Sequence, residues 1–124
     1  MAQYYEMHID AGADYQMIVG QENAAGNAIP LTGYSARMML KSTYADTTPL
    51  VSLTSEVGGG LTINEAAGEI EVFIEDTDTA TLCTDEVTEG VYDLEIESPA
   101  GVITRLIDGP WFAYPEATKR GHNG

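Results

Sequence analysis

The chain has 124 residues, the size of one domain that buries on the order of two thirds of its unfolded surface around a single core. Five Lys and Arg against twenty Asp and Glu give a formal net charge of 5 − 20 = −15, which repels nucleic-acid phosphates and an anionic membrane surface. The single cysteine, Cys83, excludes an intramolecular disulfide and a cysteine-based zinc cluster.

No stretch approaches the roughly 18 apolar residues that span a bilayer. The opening MAQYYEMHID has neither a basic nor an apolar signal region, so the chain is expected to be cytosolic at synthesis. The acidity also occurs in disordered chains, but 44% hydrophobic residues in alternating runs argue for a folded body.

Tyr5, Met7 and Ile9 recur on every second residue, the period of a half-buried strand, until Ala11-Gly12-Ala13 breaks it. DYQMIVG (14–20) reads as a second strand and QENAAGNAIP as a loop of turn residues. GYSARMMLK then places Tyr34, Ala36, Met38 and Leu40 on one face, with Ser35, Arg37, Met39 and Lys41 opposite. Val51 and Leu53 mark a short strand, and Gly58-Gly59-Gly60 a turn or bulge, since glycine enters positive φ at little cost. Leu61 and Ile63 resume the alternation. In GEIEVFIE, Ile70, Val72 and Ile74 point inward with Phe73 on the other side. DTDTATLC predicts one short helical turn, capped by Asp76 or Thr77 and packing Leu82.

The most regular segment is VYDLEIESPAGVITRLIDG (91–109), a hairpin turning at Ser98-Pro99-Ala100-Gly101. Its first arm has an apolar face (Tyr92, Leu94, Ile96) and an acidic one (Asp93, Glu95, Glu97). Its second arm is apolar on both: whichever of Val102/Leu106 or Ile103/Ile107 enters the core, the other pair points away and needs a cover. An odd loop sets Glu95 opposite Arg105, an even one sets Arg105 opposite Leu94; the odd register is favoured. PWFAYP (110–115), bracketed by prolines, is expected at an edge or terminus of a sheet. Residues 1–115 thus form one β-domain, a sandwich or barrel by strand spacing, and 116–124 a polar tail.

Chemistry-bearing residues are sparse. His8 lies on the polar phase of its strand and His122 in the tail, neither in a pattern that sets a base beside a nucleophile. Cys83 reads as a small buried hydrophobe, and SEVGGGLT lacks the Lys-Ser/Thr of a phosphate loop. Asp76/Asp78 and Asp85/Glu86/Glu89 could offer oxygens to Ca²⁺, but without the EF-hand spacing; a helix N-terminus and a solvated loop explain them better. Trp111 and Tyr114 could stack on sugar rings. No enzyme, cofactor or metal site is expected.

Three segments, LTGYSARMMLK (31–41), GGGLTINEAAGEIEVFIEDTDTATL (58–82) and VYDLEIESPAGVITRLIDGPWFAYPEATK (91–119), carry a resemblance over most of the chain. Their order and spacing resemble small structural proteins of tailed bacteriophages, similar to the N-terminal domain of phage baseplate upper proteins. The resemblance implies an all-β, immunoglobulin-like antiparallel β-sandwich with one short helical turn, acting in the virion as a non-enzymatic adaptor that docks other virion proteins and its own copies. Baseplate proteins of this kind continue into stalk and receptor-binding or oligomerisation domains, whereas this sequence stops after KRGHNG, so tail, baseplate, neck, fibre and capsid surface all stay open. A capsid decoration protein is the alternative, and a glycan-binding host-recognition module the third reading. Candidate partner-binding residues are Ile103, Ile107, Trp111, Phe112 and Tyr114. Lys119 and Arg120 join them as a basic pair able to dock on an acidic neighbouring body.

Overall fold

The computed structural model describes residues 2–20, 25–83 and 85–117. In chain order these form β1 Gln3–Tyr4, β2 Met7–Asp10, β3 Tyr15–Gly20, β4 Ser35–Lys41, β5 Val51–Thr54, β6 Leu61–Asn64, β7 Glu69–Ile74, the helical turn α1 Asp76–Thr79, β8 Thr88–Glu97 and β9 Ile103–Tyr114. The larger sheet has the order β1-β9-β8-β4-β5, with β2 also on β9, and the smaller one β3-β7-β6. This is the immunoglobulin-like arrangement: β4, β8 and β9 occupy the C, F and G places of one sheet, β3, β6 and β7 the B, D and E places of the other.

Alternation places the core. Ile70, Val72 and Ile74 of β7 join Met38, Leu40, Leu94 and Trp111 of the larger sheet in one buried cluster. Each large aliphatic so enclosed contributes about 1.5–3 kcal/mol relative to exposure. Gly58 and Gly60 both adopt positive φ, making the expected turn between β5 and β6.

The N-terminal strand departs from expectation twice. It runs parallel to β9, whereas an antiparallel sandwich was expected, and it is interrupted. Met7 and Ile9 are fully buried, but Tyr5 is 47% exposed. Tyr4 pairs with Asp108 and Met7 with Trp111, a constant offset that sets Glu6 opposite Pro110. Proline has no N–H to give a neighbouring strand, so the ladder breaks there.

Pro110 also corrects the reading of PWFAYP as an edge. β9 runs unbroken from Ile103 to Tyr114 with neighbours on both sides. The proline is tolerated mid-sheet because its missing donor coincides with the gap between β1 and β2.

The hairpin has the odd register, with Glu97 opposite Ile103 and Glu95 opposite Arg105. A bulge follows: Leu94 pairs with Ile107, leaving Leu106 as the extra residue. That insertion overturns the expectation of two opposed apolar pairs, because it buries both Leu106 and Ile107 and leaves Val102 and Ile103 exposed together at the tip. Although they stand opposite each other, Glu95 and Arg105 take other ion-pair partners. Glu95 instead accepts from Arg37 Nε at 3.2 Å, and Arg105 meets Asp93 at 3.5 Å and Asp108 at 3.6 Å.

α1 forms where expected, with Leu82 buried below it, but its first N–H is capped from elsewhere. Glu75 occupies the N-cap without a side-chain bond, and the Asp76 N–H donates to Asp14 Oδ1 at 2.9 Å. Thr79, fully buried, ties the turn to the β2–β3 link: its hydroxyl donates to the Ala13 carbonyl at 2.8 Å and accepts from the Gly12 N–H at 3.1 Å.

Candidate interaction face

The outward phase of β8 comprises Glu89, Val91, Asp93, Glu95 and Glu97, since Gly90, Tyr92, Leu94 and Ile96 face the core, and Glu89 lies opposite Phe112. Register sets a row of side chains across the sheet at each. Val91 lies between Pro110 and Lys41, and Asp93 between Asp108 and Met39. Glu95 lies between Arg105 and Arg37, and Glu97 between Ile103 and Ser35.

Arg37, Lys41 and Arg105, all the lysines and arginines among the described residues, therefore stand on this one face. The ion pairs of Arg37 and Arg105 are half-exposed and individually worth only about 0.2–1 kcal/mol. Partial burial raises the Asp93 carboxyl above its usual pKa; neighbouring Glu95 and Asp108 push the same way, against Arg105 and Lys41. The outer face of the smaller sheet presents Gln16 and Ile18 of β3 with Glu69 and Glu71 of β7, and no cation.

Between β4 and β8 the face sinks into an open hollow of about 230 Å³ whose walls include Met39, Tyr44, Val91, Lys41, Arg37 and Asp93. Tyr44 is 62% exposed beside it. The Lys41 ammonium has no ion pair among the described residues, although its carbonyl accepts from Trp111 Nε1 at 3.0 Å.

At the end of the hairpin, Ser98 organises the turn: its N–H donates to the Val102 carbonyl, and its hydroxyl and carbonyl accept from the Val102 and Gly101 N–H groups, all within 3.0 Å. Gly101 takes positive φ there. Pro99 lies so close to Gly33 that a side chain at that glycine would meet its ring at 2.8 Å. The apolar tip is thus a fixed projection. Where β2 meets β9, the His8 ring stacks on Phe112 with centroids 5.2 Å apart, and its Nδ1 is 2.6 Å from the Tyr114 hydroxyl.

The structure divides the sequence-derived candidates. Ile103 is exposed on the projecting tip; Phe112 and Tyr114 are half-buried against His8. Ile107 and Trp111 are core residues, Trp111 fully enclosed, which withdraws both from any partner and Trp111 from sugar stacking. Lys119 and Arg120 lie outside the described residues. Sequence reasoning missed Val102, Met39, Lys41 and Tyr44. Met39 carried a signal, being an apolar side chain on the polar phase of β4.

Asp76 and Asp78 belong to no group of three or more His, Cys, Asp or Glu that could hold a metal, there being none among the described residues. Cys83 is buried. No described helix is long and apolar enough to cross a membrane.

No protein-family profile and no curated protein matches the chain. Among solved structures it is similar to one called "Tim-1", at 14% identity and a TM-score of 0.47, over 97% of this chain and 100% of that one. A likeness of that size supports no functional argument.

Proposed function

We propose that the chain is a non-enzymatic virion structural protein of a tailed bacteriophage. It acts as an assembly or adaptor subunit of the tail, baseplate or neck and docks other virion proteins. The observation that carries the docking role is the exposed pair Val102–Ile103, 62% and 52% accessible on a hairpin tip braced by Ser98 and Pro99. A hairpin held this firmly loses little conformational entropy on binding, and its apolar end gains contact area when covered. The phage setting rests on the three sequence segments that resemble baseplate upper proteins.

Mass spectrometry of purified particles, fractionated into heads and tails, tests the reading. Recovery in tails at a small multiple of three or six copies supports it. Hundreds of copies on heads would make the chain a capsid decoration protein instead, and absence from both fractions would end the structural reading.

A further inference from the structure

The hollow between β4 and β8 combines an apolar wall, an open aromatic ring and uncommitted polar groups. Met39 and Val91 supply the apolar part, and Tyr44 presents its ring, 62% exposed. The charged side chains in the wall are Arg37, Lys41, Asp93 and Glu95, which sum to 2 − 2 = 0. Arg37 and Glu95 are committed to each other, Nε to Oε1 at 3.2 Å. Lys41 and Asp93 occupy diagonal positions of neighbouring strands, about 7–8 Å apart, and make no ion pair with one another among the described residues. A donor and an acceptor thus stand on one rim with a gap between them. Partial burial, with Glu95 beside it, already raises the Asp93 carboxyl above its usual pKa. A concave site with convergent polar groups and a perturbed carboxylate has the form of a small-molecule site.

Size and charge narrow the ligand. A hollow of about 230 Å³ holds one six-membered ring with its substituents and is smaller than the roughly 300–1,000 Å³ of sites for drug-sized ligands. A hydrocarbon occupant would cover Lys41 and Asp93 without replacing their water, which costs free energy. An anion would meet Asp93 and Glu95 in the wall, with Asp108 on the Asp93 row just outside it. A cation would meet Arg37 and Lys41. An uncharged ligand remains, with donors and acceptors around its edge and C–H groups on its face. A pyranose has that form: its hydroxyls accept from the Lys41 ammonium and donate to the Asp93 carboxylate, while its C–H face lies on Tyr44.

We propose that the hollow between β4 and β8 binds an uncharged pyranose unit of a glycan, with Tyr44 as the stacking ring and Lys41 and Asp93 as the hydrogen-bonding groups. The stacking ring is therefore Tyr44 and not the enclosed Trp111. The site is separate from the hairpin tip, so the adaptor reading neither requires it nor falls with it.

The experiment is a titration of the isotope-labelled chain with the methyl glycosides of glucose, galactose, mannose and N-acetylglucosamine, followed by amide NMR. At least one should saturate with a dissociation constant of about 1–10 mM, shifting the amides of Met39, Lys41 and Val91 and leaving Val102 on the hairpin tip unmoved. Glucuronic acid should bind about threefold or more weakly than glucose, because its carboxylate meets Asp93 and Glu95. Tyr44→Ala should weaken binding about fivefold and Tyr44→Phe less than about twofold, since the ring makes the contact and not the hydroxyl. Lys41→Met and Asp93→Ala should each weaken it about tenfold. Unchanged emission of the buried Trp111 shows that each variant is folded. No saturable shift of these amides by any of the four sugars up to ~100 mM, about tenfold above the weakest affinity counted, would overturn the proposal. So would undiminished binding by Tyr44→Ala, glucuronic acid binding as tightly as glucose, or shifts centred on another face.

Discussion

Gly90 on β8 occupies the only space between two parts of the larger sheet that must touch. A methyl group there would overlap the Lys41 carbonyl oxygen and lie 2.6 Å from the indole Nε1 and Cε2 of Trp111. The Trp111 Nε1–H donates to that same carbonyl at 3.0 Å, so Gly90→Ala both overpacks the site and pushes donor from acceptor. Overpacking a tight core costs about 1–3 kcal/mol, and stranding a buried polar group about 1–3 kcal/mol more. A combined loss of about 4 kcal/mol is a large part of the roughly 5–15 kcal/mol by which a domain is stable. With an unfolding entropy near 2.1 cal/mol/K per residue, it lowers Tm by about 15 °C. Urea unfolding followed by tryptophan emission reads this directly, because Trp111 is the sole tryptophan. Trp111→Phe removes the ring edge that the methyl strikes, so by circular dichroism the double variant should lose less than the two single losses summed. A Gly90→Ala protein within about 0.5 kcal/mol of the parent, with unshifted emission, would refute the argument.

Thr79→Val keeps the volume of the side chain but leaves the Gly12 N–H and Ala13 carbonyl without their partner, and should cost about 1–3 kcal/mol in urea unfolding; Thr79→Ser should recover most of it. Burial pushes the Tyr15 phenol up to about 12, with Tyr5 adding to the effect, and raises Tyr92, whose hydroxyl donates to the Tyr5 carbonyl at 2.7 Å. The folded state thus holds protons that the unfolded chain releases near pH 10. This contribution is complete below pH 10 and is lost as pH rises from 10 toward 12. Thermal melts across that window should show a falling Tm, less steep in Tyr92→Phe; a flat profile would contradict it. Gly101→Ala, at φ +88°, should loosen the hairpin tip at a cost of about 1–2 kcal/mol, measured by thermal unfolding and by faster amide exchange at Val102.

Alternation made most of the strands legible, because a strand buried on one face writes its burial into every second residue. Ile70, Val72 and Ile74 point inward as their spacing dictates, and so do Tyr92, Leu94 and Ile96. The second arm of the hairpin could not be read this way. Its apolar residues occupy both phases, and only the bulge at Leu106, a property of the paired strands together, decides which are covered. Pro110 misled for a related reason: a proline forbids one donor, and whether that places it at an edge depends on a strand roughly a hundred residues earlier in the chain. The Asp14 cap of α1 is equally non-local. Of the interaction face, the tip residue Ile103 was visible from the sequence, but the hollow was not, since Met39, Tyr44 and Val91 come together only when β4 lies beside β8.

β9 is the strand on which the larger sheet depends, pairing with β1, β2 and β8, and it comes last in chain order among the described strands. Gln3 pairs with Ile107, so 107 − 3 = 104 residues separate the two in synthesis. At about 5–20 residues per second the N-terminal strand waits roughly 5–20 s for its neighbour. The larger sheet therefore cannot close around the core until β9 has been made. During that interval the apolar faces of β2 and β4 have no cover from β9, and strand edges left open in this way are routes to aggregation. A formal charge of −15 spread along the sequence gives such waiting chains a mutual repulsion, so the acidity serves the nascent protein before it serves the folded one.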